Sequence, residues 1–154
     1  MDLILWRHAE AEDGAPDEAR ALTPKGQRQA ARVARWLRAN AGHDCRVIAS
    51  PAVRAQQTAA ALTDRMETCN DIAPGCSAGT ILKAAGWPDG SGCVVLVGHQ
   101  PSLGSAAALA LTGQERSWSV RKGALWWLQR RHGETLVRAV LAPDMLGGKG
   151  EHHV

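Results

Sequence analysis

The chain has 154 residues, 45% of them apolar and 21% charged, which suits one domain, residues 1–154, with a sizeable core. Its net charge of +3 comes mainly from arginines spread along the chain, which argues against a nucleic-acid-binding tail. No stretch approaches the roughly 20 apolar residues of a membrane span, and Arg7 ends the first apolar run too early for a secretory signal, so a cytoplasmic location without membrane contact is expected.

In chain order, Leu3 to Trp6 reads as a short buried strand. Ala9 to Ala21 is acidic and punctuated by Gly and Pro, hence a loop. Thr23-Pro24 is a helix start, with Thr as N-cap and Pro in the first turn. The helix runs to about Ala41, with Ala30, Val33, Ala34, Leu37 and Ala41 on one face and Arg28, Arg32, Arg35 and Arg38 largely off it, on a solvated face. Val47 to Ala49 is a second strand. Ser50-Pro51 repeats the cap signal, and a helix is expected to about Arg65. Glu67 to Ile72 reads as a weak third strand, Ser77 to Ala85 as a short helix, and Val94 to Val97 as the clearest buried strand. After Gly98-His99-Gln100-Pro101, an Ala-rich helix spans Ser102 to Leu111. Two strands, Ala124–Gln129 and Leu136–Leu141, are joined by a hairpin turn at Arg131 to Glu134. Residues from about 147 on, with His152 and His153, read as a flexible tail. Alternating strands and helices predict an α/β fold: a three-layer α/β/α sandwich with a mostly parallel central sheet and an antiparallel edge. Alternation also points one ring of the Trp126-Trp127 pair outward. Cys45, Cys69, Cys76 and Cys93 form no Cys-x-x-Cys pair or zinc-finger spacing, and reduced thiols are expected.

Chemistry collects where strands end. The first strand ends in Arg7-His8, the second in Ser50-Pro51 with Arg54 one turn later, and the fourth in Gly98-His99. Ligands of open α/β sheets bind outside the carboxyl ends of the strands, so two arginines and two histidines converge on one edge. Arg forks hold phosphate oxygens, and helix N-termini after Ser50 and Gln100 would add N–H donors. A neutral His8, kept so by neighbouring Arg charges, could accept a phosphoryl group. A backbone carbonyl in the loop after it would fix its other ring nitrogen. His99 would donate to the transferring group.

These residues resemble the histidine phosphatase (phosphoglycerate mutase-like) superfamily. Leu-Trp-Arg-His-Ala at 5–9 resembles its Arg-His-Gly signature. Leu22 to Gln27 is similar to its Leu-Thr-x-x-Gly-x segment, Ser50 to Thr58 to Ser-Pro-x-x-Arg-x-x-x-Thr, and Val97 to Pro101 to the second-histidine motif. The resemblance implies His8 as the phosphorylated nucleophile, Arg7, Arg54 and His99 as phosphate-pocket residues, and no metal or other cofactor. The short span from Met66 to Val97 is most like the compact, SixA-like phosphohistidine phosphatases, in which Arg20 also resembles a pocket residue.

Two departures stand out. Ala9 replaces the usual Gly, and the Glu that serves as general acid in the mutase-like branch has no clear match among Glu67, Asp71 and Asp89. The loop after His8 offers Glu10, Glu12, Asp17 and Glu18, of which Asp17 and Glu18 are the candidate acids. The expected function is removal of phosphate from phosphohistidine on a protein by a monomeric enzyme. The alternatives are a phosphomonoesterase acting on small phosphate esters and a non-catalytic phosphoprotein-binding module.

Overall fold

A computed structural model describes residues 1–147. Six strands form one sheet in the order β3-β2-β4-β1-β5-β6: β1 (Asp2–Arg7), β2 (Arg46–Ala49), β3 (Glu67–Thr68), β4 (Cys93–Gly98), β5 (Leu125–Arg131) and β6 (Glu134–Leu141). The first four are parallel, β5 runs antiparallel to β1, and β6 closes the edge as a hairpin. Four α-helices accompany them: α1 (Pro24–Asn40), α2 (Val53–Ala60), α3 (Ala78–Ala85) and α4 (Ser102–Thr112).

Strand alternation sorts the core into two layers. Leu3 and Leu5 of β1, with Val94 and Leu96 of β4, pack under α3 and α4. Ile4 and Trp6, with Val95 and Val97, pack under α1 and α2. Both faces of the parallel strands are covered, which is why those strands read as unbroken apolar runs. The expected three-layer α/β/α architecture is therefore present.

Local signals hold in α1, where Thr23 Oγ1 accepts from Gly26 N–H at 2.9 Å and Pro24 opens the helix. Gly26 has a further reason to be glycine: a Cβ there would lie 2.0 Å from the Glu10 carbonyl, so α1 could not sit against the loop that follows His8. The hairpin turn is also where expected, with positive φ at His132 (51°) and Gly133 (75°), the handedness a two-residue hairpin requires.

Other expectations need correcting. Helix α2 ends at Ala60, not Arg65, because Ala61 and Leu62 close tighter turns onto Thr58 and Ala59, and Thr63 Oγ1 then takes the Arg65 N–H. Ser50 does not cap α2; the cap is Ala52. The third strand is only two residues long and passes into a 3₁₀ turn at Asn70–Ile72. Trp127 is buried edge-on against Trp36, and Trp126 is half-buried and stacked on Trp118, so neither ring is a free outward surface. The thiols are not all reduced: Cys45 and Cys93 form a disulfide. Arg46 of β2 pairs with Val94 of β4, so the residues just before them face each other, with Cα atoms 4.6 Å apart. Cys69 and Cys76 are free. The tail from residue 148, with His152 and His153, lies outside the described residues.

Candidate active site

The strand order decides what meets what. Because β4 lies between β1 and β2, the residue after β4 falls between those following the other two. The His8 N–H donates to the Gly98 carbonyl (3.1 Å) and the Ser50 N–H to the Val97 carbonyl (3.1 Å), locking the three junctions together. His99 sits in the middle. Its ring centroid is 5.1 Å from that of His8 on one side, and its Nε2 is 2.7 Å from Ser50 Oγ on the other.

His8 is 6% exposed, and its Nδ1 lies 2.8 Å from the carbonyl of Ala9. A carbonyl can only accept, so Nδ1 carries the proton and Nε2 keeps its lone pair. The expected backbone partner is thus the residue immediately after His8. Ala9 is itself fixed, its N–H donating to Thr58 Oγ1 at 3.1 Å. Among the described residues only His132 combines a side chain with positive φ, so alanine in the glycine position of the motif carries no backbone strain.

Arg7 donates from Nη1 to the Val120 carbonyl at 2.9 Å. Arg54, 5% exposed, donates from Nη1 and Nη2 to the carbonyl and carboxylate of Asp17 at 2.8 and 3.0 Å. Arg20 reaches the other carboxylate oxygen of Asp17 at 3.0 Å and the Glu12 carbonyl at 2.7 Å. It joins the cluster through Asp17 and lends its charge to the field around His8.

Three side-chain nitrogens are left over. Arg7 Nε, Arg54 Nε and His99 Nδ1 are buried and have no hydrogen-bond partner among the described residues. Buried donors are nearly always paired, so three orphans in one charged cluster are the mark of a site shaped for an acceptor-rich anion. The electrostatics agree. Burial pushes the His8 imidazolium down to about 4, with Arg54, Arg7 and Arg20 acting in the same direction against the Ala9 carbonyl. Burial, then the facing His8 and Arg54, pushes His99 down to about 3. Both imidazoles are neutral at pH 7, and burial and Arg54 make even the Arg7 charge less comfortable. A tetrahedral oxyanion would relieve that excess of positive charge.

The candidate acids fare differently. Hydrogen bonds from Arg20 and Arg54 hold the Asp17 carboxyl below the usual carboxylate range, so it holds no proton to give. Glu18 is exposed on the 3₁₀ turn Asp17–Ala19. Two of the expected donors at the start of α4 are already used: Leu103 N–H goes to the His99 carbonyl and Gly104 N–H to Gln100 Oε1.

Two residues escaped sequence reasoning. Ser50 looked like a helix cap, yet its hydroxyl is the partner of His99. The signal was there: it ends a strand in the same motif as Arg54. Gln100 bridges the Gly104 N–H (2.7 Å) and the Trp118 carbonyl (2.9 Å). It thereby ties α4 to the loop whose Val120 carbonyl holds Arg7 and whose Gly123 N–H meets the His8 carbonyl at 3.0 Å. A Cβ on Gly104 would stand 1.8 Å from that Trp118 carbonyl, so glycine is needed for the loop to close down. A lone Gln carries no sequence signal for this.

Residues 3–75 match the model of the histidine phosphatase superfamily (branch 1). The chain belongs to this superfamily. Among its relatives, an uncharacterized protein of Picosynechococcus sp. strain PCC 7002 is 37% identical over 128 residues, covering 74% of this chain and 75% of the relative. An uncharacterized protein of Mycobacterium tuberculosis is 35% identical over 109 residues, 68% of each chain. Solved structures give the same fold. The protein histidine phosphatase SixA complexed with tungstate superposes with a TM-score of 0.83 at 24% identity, over 96% of this chain and all (100%) of the other. A phosphoserine phosphatase from Entamoeba histolytica, with 3-phosphoglyceric acid bound, gives 0.70 at 18% identity, over 92% and 96%. The superfamily match to residues 3–75 takes in Arg7, His8, Arg20 and Arg54, and His99, directly after β4, lies beyond it.

Proposed function

We propose that this protein is a phosphatase that passes phosphate through His8, and that its substrate is phosphohistidine on a protein. One observation carries the reading. His8 Nδ1 is pinned by the Ala9 carbonyl, and Nε2 is left as a neutral nucleophile in a cluster with three buried nitrogens that have no hydrogen-bond partner among the described residues. The likeness in fold to SixA, a protein histidine phosphatase solved with tungstate, a tetrahedral oxyanion, supports the reading.

In the first step a bond forms from His8 Nε2 to phosphorus while the bond to the leaving group breaks. Arg7, Arg54 and His99 hold the oxygens as charge redistributes. In the second step water attacks phosphorus, the bonding pair returns to Nε2, and inorganic phosphate leaves. The leaving group argues for phosphohistidine. An alkoxide departs well only with a general acid, typically a gain of about 10²–10⁴-fold. The one carboxylate bound to the cluster, Asp17, is held ionised by two arginines. A phosphoimidazole protonated on its second nitrogen departs as neutral imidazole and needs no acid.

The likeness to a phosphoserine phosphatase favours the second reading, a phosphomonoesterase for small esters. Turnover of a phosphohistidine peptide, phosphoserine and p-nitrophenyl phosphate decides between them. The phosphohistidine peptide is expected to have the highest kcat/KM. A higher value for phosphoserine overturns the substrate assignment. Loss of turnover in His8→Ala, with an acid-labile phosphoenzyme in the parent, tests the nucleophile and separates an enzyme from a phosphoprotein-binding module.

A further inference from the structure

A cleft of about 400 Å³ opens beside the candidate site, between the start of α1 and the loop leading into β5. Glu10, two residues beyond His8, is part of its lining. Lys25 lines one wall and Arg121 and Lys122 the other, all exposed, and Arg28 continues the first wall into an adjoining hollow. Two carboxylates are present, and both are engaged. Glu10 accepts from Thr23 Oγ1 at 2.8 Å, and Asp144 faces Arg121 at 3.8 Å. Cations therefore outnumber acids on this side.

The other side of the opening lacks such an excess, because Asp17 there is matched by Arg54 and Arg20. The loop carrying the exposed Glu12, Asp13, Asp17 and Glu18 is tied by Asp17 to Arg54 of α2, which follows β2. In the sheet, β2 and β5 lie on opposite sides of the β4-β1 pair. A chain crossing the site thus meets the excess of exposed cations on one side only, that of β5. The cations are linked to the reacting residues by short connections: Gly123, next to Lys122, donates to the His8 carbonyl, and Thr23, two residues before Lys25, donates its N–H to the Glu10 carbonyl.

We propose that this cleft docks an acidic segment flanking the phosphorylated histidine of the substrate protein, and so sets both the choice of substrate and the direction in which it lies. The inference rests on the phosphohistidine reading above. Charge complementarity across such a rim acts on encounter and on KM rather than on the chemical step.

Three synthetic peptides phosphorylated on one histidine with phosphoramidate test it: four Glu before the histidine, four Glu after it, or Gln at all those positions. One Glu peptide, not both, should exceed the Gln peptide in kcat/KM by about 3- to 10-fold, the effect of a few exposed ion pairs. The gap should lie in KM and close as salt is raised toward about 1 M, where screening acts within about 3 Å. Lys25→Ala/Lys122→Ala should abolish the preference, and Lys25→Glu/Lys122→Glu should invert it, while p-nitrophenyl phosphate turnover stays within about twofold. Equal rates for all three peptides, or a preference that survives both double variants, overturns the proposal. If no phosphopeptide turns over, the phosphohistidine reading fails by itself. Anisotropy of the same labelled phosphopeptides on His8→Ala then judges the cleft: tighter binding of one Glu peptide, lost in the double variants, supports it, and indifference sinks it.

Discussion

Removing a single oxygen atom, in Ser50→Ala, should disarm His99 without touching the phosphate cluster directly. Ser50 Oγ has two neighbours, the Ala52 N–H at 3.2 Å and His99 Nε2 at 2.7 Å. Oγ already accepts from the Ala52 N–H, and Nε2 is the acceptor within reach of its own proton, so in the neutral His99 the hydroxyl donates to Nε2 and the ring proton stands on Nδ1, the orphan nitrogen of the site. Without the hydroxyl, Nε2 is a buried group lacking a partner and the proton is free to settle there. Nδ1 then meets a phosphate oxygen lone pair with a lone pair of its own. A buried group left unsatisfied costs about 1–3 kcal/mol, and expressed only in the transition state this is a fall in kcat of roughly 5- to 150-fold. The assay is kcat and KM for Ser50→Ala, His99→Ala and the double variant, with urea midpoints to confirm folding. If Ser50 acts through His99, its loss costs almost nothing once His99 is gone. A Ser50→Ala enzyme within twofold of the parent, or losses that add in the double variant, refutes the reasoning.

Gln100→Leu should release the Trp118 carbonyl and loosen the loop that holds Arg7, weakening inhibition by inorganic phosphate by about 10-fold, the worth of one well-placed hydrogen bond; unchanged inhibition counts against that role. Asp17→Asn should keep kcat within about threefold, because Asp17 is an ion-pair partner and not an acid, whereas loss of a true general acid costs about 10²–10⁴-fold. The same variant should bind phosphate more tightly, since a carboxylate no longer competes for Arg54. Stability should fall as pH drops from about 6.5 to about 4. The unfolded chain takes up a proton on His8 there and the folded chain does not, so His8 alone accounts for about 3 kcal/mol of the loss, present in full only above the unfolded pKa. Urea titrations across that range should show a shallower slope in His8→Gln; equal slopes refute it. Reducing the Cys45–Cys93 disulfide, which closes a 48-residue separation, should lower stability by about 2–4 kcal/mol, read as a shift in the urea midpoint; no shift would mean that the bridge does not constrain the unfolded chain.

Much of this molecule is legible before any coordinates. Arg7, His8, Arg54 and His99 announce themselves because each stands at a strand's carboxyl end or in the first turn of the helix beyond it. That placement is a local property of sequence. Both faces of a covered parallel sheet also leave a local trace, the continuous apolar runs of β1 and β4. What stayed hidden depends on strand order. The Cys45–Cys93 bridge exists only because β4 pairs with β2. Ser50 reads as a helix cap until β4 sets His99 beside it. Gln100 matters through a carbonyl 18 residues away. The early end of α2 has a different cause, since a threonine turn competes with helix propagation at a stretch whose composition favours both.

The central place of β4 also has a consequence for how the protein comes into being. The chain makes β1 and β2 first, and neither touches the other in the finished sheet. In the finished sheet only residues 93–98 join the two strands that lead into Arg7-His8 and Ser50, each strand lying about 4.8 Å from its neighbour. His99 is thus the last component delivered, by the same strand that draws the other two into register. A chain that ends before β4 holds His8 and Arg54 but not the candidate cluster, which is complete only once β4 joins β1 and β2.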